Sequence, residues 1–151
     1  MTWLRGIRGF VLSLVAGYFF DRQDLEKARK WMDRSVASGP AVDAYAVATD
    51  AILQVLEGRS SAATQRFADC LELIDRPRFP NHEYLKIFCE FWLKVLDGQT
   101  LPNDLEALAT EAAGLPTDKW LKRRFRFPPK ESIQKNVVKA SSDSVFVAYD
   151  F

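Results

Sequence analysis

The stretch Lys119-Trp-Leu-Lys-Arg-Arg-Phe-Arg-Phe-Pro-Pro-Lys130 holds six basic residues and three aromatic rings, and no acid, in twelve positions. Cations interleaved with flat rings have a defined chemistry. Guanidinium forks grip carboxylates and phosphates, and rings stack on bases. Lys119, Trp120, Lys122, Arg123, Arg124, Phe125, Arg126 and Phe127 are therefore the first candidates for partner binding. Three uses fit the segment: docking an acidic protein, docking nucleic acid or an anionic surface, or capping a helical stack. In the last case Trp120, Leu121 and Phe125 would close the open end, with the arginines facing water or an acidic body. The net charge of +1 falls short of the basic excess of a dedicated nucleic-acid binder. A second candidate is the end of the chain, Ser144-Val-Phe-Val-Ala-Tyr-Asp-Phe151, which alternates like a strand. There Phe146, Tyr149 and Phe151 could hook onto another chain's sheet edge or groove, or fold back on their own body.

Catalysis has no comparable signature. The chain carries no Gly-rich phosphate loop, no nucleophile paired with a base, and no Cys/His cluster of metal-ligand spacing. The single histidine, His82, follows Asn81 where a helix should begin, and reads as a solvated first-turn residue rather than a base. Cys70 and Cys89 lie within apolar helical patterns and read as buried free thiols rather than a disulfide. Asp69 and Glu72 share a helical face, expected to be wet, whereas Glu106 and Glu111 do not share one. The expectation is a non-enzymatic protein without cofactor or metal.

The elements that must position these residues are helices. With 48% hydrophobic and 27% charged residues, 151 residues suffice for one core-forming domain. The charge is uneven: residues 1–118 carry 13 basic and 17 acidic side chains, and residues 119–151 carry 8 and 3. Apolar spacing predicts a first helix through Phe10–Phe20 and a second from about Leu25, with Lys27, Arg29, Lys30, Asp33 and Arg34 on its wet face. Gly39-Pro40 stops the second helix. A third runs from about Val42 to Glu57, and a fourth starts at a Ser60 or Ser61 cap and reaches about Ile74. The two prolines of 75–80 make a loop. Asn81 is placed to cap a fifth helix ending at Gly98, and Pro102 opens a sixth that Gly114 closes. Short turns make antiparallel hairpins the expected topology. An internal echo, Ile52-Leu-Gln-Val-Leu-Glu-Gly58 and Trp92-Leu-Lys-Val-Leu-Asp-Gly98, points to a repeated unit.

Leu12, Val15, Ala16, Phe19, Asp24, Leu25, Ala28, Met32, Ser35 and Pro40 follow the rhythm of a tetratricopeptide repeat, which this chain resembles. A second unit follows with Ala51, Gly58, Ala63, Phe67 and Cys70, departing at Asp50, Gln54 and Asp75. A third, about 81–114, keeps only the punctuation. The resemblance implies an all-α fold: antiparallel hairpins stacked as a short α-solenoid over residues 1–118, with a basic-aromatic capping segment and extended tail over 119–151. It also implies an adaptor, or a subunit of a larger complex, that holds a protein partner in a helical groove or on its tail. The rival reading is a nucleic-acid-associated subunit using 119–130. A membrane partner is not expected. Two cysteines fit a cytoplasmic location; the alternative is export, with residues 1–17 as a signal peptide ending at Val15-Ala16-Gly17. A third option for the N-terminus is an interfacial helix using Trp3, Arg5 and Arg8.

Overall fold

The computed structural model describes residues 2–39, 43–74 and 80–134. These form seven helices: α1 (Thr2–Asp21), α2 (Leu25–Ala37), α3 (Ala44–Leu56), α4 (Ser60–Leu73), α5 (Pro80–Asp97), α6 (Pro102–Ala113) and α7 (Lys119–Arg124). Residues 130–134 add a further helical turn, and no strand occurs among the described residues. The terminal run with Phe146, Tyr149 and Phe151 lies outside them.

The local chemistry explains most of the boundaries. The Asp24 carboxylate accepts the Lys27 N–H at 3.2 Å, and Asp43 accepts the Tyr45 N–H at 3.0 Å, which caps α2 and α3. The echoed glycines do the same work twice. Gly58 (φ 75°) and Gly98 (φ 76°) both turn into the left-handed region that ends α3 and α5. Two expected caps are used differently. The residue at the start of α4 is Arg59, with no side-chain cap, because Ser60 already belongs to the helix. Pro80 starts α5, so Asn81 lies within its first turn, and its amide reaches Asp118 instead.

The helices pair in chain order, α1 with α2, α3 with α4 and α5 with α6, each pair a hairpin. Small residues let the pairs approach: Ala16, Ala28, Ala51 and Ala63 are all fully buried. The first helix also begins earlier than its apolar run suggested, at Thr2. Glycine makes the closest contact there. Ser35 Oγ donates to the Gly9 carbonyl at 2.6 Å, and a Cβ on Gly9 would sit 3.5 Å from the Ser35 carbonyl oxygen. Between the second and third hairpins lies an aromatic core. Phe67 stacks nearly parallel on Trp92, with ring centres 6.5 Å apart, and Phe88 meets both edge-on.

One misfit of the sequence pattern is resolved by charge. Asp50 is buried on α3 and takes guanidinium contacts from both sides, Arg29 of α2 at 3.0 Å and Arg66 of α4 at 2.9 Å. Arg29 is not on the wet face. It turns inward, also meeting Glu57 at 2.6 Å and Asp33 at 3.0 Å. Burial opposes its charge, but the Glu57 hydrogen bond and the Asp50 and Glu57 charges outweigh burial and raise its pKa. The network stitches three consecutive helices together.

Candidate functional site

The basic-aromatic segment folds back across the molecule. It starts at Asp118, whose N–H donates to the Asn81 side chain at 3.0 Å while its carboxylate accepts the Asn81 amide at 2.9 Å. From there α7 crosses α3 and reaches α1. Trp120 meets Tyr45 of α3 edge-on at 5.4 Å, and Tyr45 in turn lies 5.9 Å from His82. Arg124 forms a fork with Asp21 at the end of α1: Nε to Oδ1 at 2.9 Å and Nη2 to Oδ2 at 2.8 Å. The chain then returns over α5, where Phe125 packs on Phe88 (5.4 Å) and the Tyr84 hydroxyl donates to the Phe125 carbonyl. Phe127 meets Tyr84, Phe88 and Phe91 at 5.0–5.7 Å.

This route sorts the candidate residues. Leu121 and Phe125 are fully buried, and Phe127 is half-buried. Lys122 hydrogen-bonds the carbonyls of Ala113 and Leu115, at 3.2 and 2.8 Å, where α6 ends. These groups hold the segment to its own body. Trp120, at 38% exposure, is not buried as Phe125 is. Instead it lines an open cleft of about 420 Å³ with Arg123, Arg124 and Arg126, facing Phe20, Asp21 and Gln23 of the α1–α2 turn. Lys119 is exposed beside it at the start of α7.

The cleft is built for its arginines. A Cβ at Gly17 would come within 2.7 Å of the Arg124 guanidinium, so glycine is what lets Arg124 lie flat against α1. Arg124 also stacks over the Trp120 ring at 5.3 Å. Its charge reaches Asp43 as well. Burial pushes the Asp43 carboxyl above the ordinary carboxylate range, against the Tyr45 and Ala46 N–H bonds and the Arg124 and His82 charges that pull it down. Burial, then the negative Asp43 and Asp118, raises the Tyr45 hydroxyl. Among the described residues lining the cleft, three are arginines and one, Asp21, is an acid.

Gly17, Asp21 and Gln23 were not among the candidates. The partner of Asp21 lies 103 residues away, and no local pattern announces such a pair. Gln23 holds a positive φ of 64°, a turn geometry rare for a non-glycine residue. Elsewhere, no group of three or more His, Cys, Asp or Glu side chains able to hold a metal occurs among the described residues. Nor is any described helix long and apolar enough to cross a membrane. The described residues thus form helical hairpins bearing an arginine-rich cleft, and comparison with family models, curated proteins and solved structures finds no match.

Proposed function

We propose that this chain is a non-enzymatic adaptor, a short helical-hairpin array of tetratricopeptide-like character, which docks an acidic segment of a protein partner. The carrying observation is the cleft of about 420 Å³ where Arg123, Arg124 and Arg126 converge beside the exposed Trp120. Its size suits a few side chains rather than a whole domain. Forked guanidinium donors with an aromatic wall suit carboxylates presented on a peptide. Because α7 already crosses α1, α3 and α5, the partner meets the basic rim rather than an open groove. Nucleic acid stands as the second reading, favoured by Trp120 beside the same arginines. Base stacking needs exposed rings, however, and of the three aromatics in this segment Phe125 is buried and Phe127 half-buried.

A fluorescein-labelled glutamate-rich peptide and a single-stranded RNA of equal charge, titrated by anisotropy at several salt concentrations, test the proposal. The adaptor reading expects the peptide to bind more tightly than the RNA, with Arg123→Gln, at an exposed position, weakening it about fivefold and the melting temperature unchanged. Preference for RNA with a steep salt slope would favour the second reading. Binding of both probes that the arginine variant leaves intact would remove the cleft from the account.

A further inference from the structure

α1 carries an apolar face that no other described helix covers, with only the Arg22 guanidinium lying over the Tyr18 ring at 4.4 Å. Leu4, Ile7, Val11, Leu14 and Tyr18, with Phe10 beside them, are each 45–53% exposed. The first five follow successive spacings of three, four, three and four. On a helix that spacing is the a/d seam of a helix–helix contact, aligned in one straight stripe. The opposite face of α1, with Ala16 and Phe20, is already buried in the fold. The helix is therefore apolar on both sides, and among the described residues only one side packs against other helices.

We infer that a second copy of this chain covers the seam, α1 against α1 in an antiparallel pair. An isologous contact needs a self-complementary stripe, and a heptad seam is one. Aligned about the point between Val11 and Leu14, the copies set Val11 against Leu14 and Ile7 against Tyr18, so each layer joins a smaller side chain to a larger one. Charge selects the direction. The exposed Arg8 flanks the seam, and no acid precedes Asp21 to neutralise it. A parallel pair would set the two copies of Arg8 level, whereas the antiparallel pair separates them by about 13 Å along the axis. The antiparallel pair also opposes the helix dipoles. Six half-exposed apolar side chains offer on the order of 100 Å² each, so two copies cover about 1,000 Å² or slightly more, the lower end for a specific interface. The dimer is accordingly weak and depends on concentration.

Sedimentation velocity of the full chain over a wide concentration range is the test. The mass should rise from 17.2 kDa toward twice that value. Leu14→Glu and Ile7→Glu should each stay monomeric, with unchanged circular dichroism, because both positions are half exposed in the monomer. Direction is read by cross-linking under mild oxidation, against the parent chain with its buried Cys70 and Cys89 as baseline. Val11→Cys mixed with Leu14→Cys should link, while Leu4→Cys alone should not, its copies lying about 25 Å apart. Efficient self-linking of Leu4→Cys would overturn the antiparallel pairing. A chain that stays at 17.2 kDa throughout, or glutamate variants that still associate, would overturn the dimer. So would a monomer that co-sediments with anionic phospholipid vesicles and loses them on Leu14→Glu, since a lipid surface would then be the occupant.

Discussion

At the scale of single residues, the buried Asp50 on α3 and the half-buried Asp43 at its cap sit in different settings. Asp50 is enclosed by Arg29 and Arg66, and its side chain is 4% exposed. Asp50→Ala leaves two guanidiniums short of a partner in a half-buried setting, and the loss should be about 3 kcal/mol in urea unfolding. Arg29 keeps Glu57, so the variant should still fold. At Asp43, burial lifts the pKa of the carboxyl in the folded chain. A carboxyl whose folded pKa exceeds its unfolded one binds its proton more tightly when folded. Its stability contribution is present below the unfolded value and is lost as pH rises through the folded value. Asn also serves as an N-cap, so Asp43→Asn should retain the bond to Tyr45 while removing the cost of the buried charge. Unfolding measured from mildly acidic to neutral pH should show the variant gaining on the parent as pH rises. A difference that is flat or shrinks would mean that Asp43 is better solvated than its position indicates.

At the scale of elements, α7 and the turn after it contain both a structural anchor and a binding wall. Phe125 is fully buried against Phe88 of α5, and Trp120 is 38% exposed over Tyr45 of α3. Phe125→Ala should therefore cost about 3–5 kcal/mol of stability, the usual loss for a fully buried ring, and Trp120→Ala well under half of that. Thermal melts of the two variants check this, and equal losses would contradict the assigned roles. The hairpins themselves were legible in the sequence, because periodicity, glycine stops and the Gly58/Gly98 echo act over a few residues. The division of labour within residues 119–127 was not. Composition marks all of them alike, and only the packing on α5 turns Phe125 inward while leaving Trp120 at the surface. The inward Arg29 was missed for a related reason: its i, i+4 neighbour Asp33 fits a wet face, while its decisive partners Asp50 and Glu57 lie on the next helix.

At the scale of the whole molecule, helical hairpins that touched only their neighbours along the chain would unfold piecemeal, one unit at a time. This chain carries a tie against that. The Arg124–Asp21 fork joins α7, anchored through Phe125 to the third hairpin, directly to the end of α1 in the first. The Arg29 network adds a link between the first hairpin and the second, beside the packing of α1 on α3. Exposed ion pairs usually contribute little, but here the arginine side chain is only 14% exposed and rests on Trp120. Arg124→Gln should thus leave global stability within about 1 kcal/mol while loosening one part of the fold. Hydrogen exchange followed by mass spectrometry locates that part. Protection should fall several-fold in α1 and α2, and the aromatic helix α5 should exchange as in the parent. A uniform rise in exchange would mean that the chain opens only as one unit. No change at all would mean that the fork holds nothing beyond what the Arg29 network already holds.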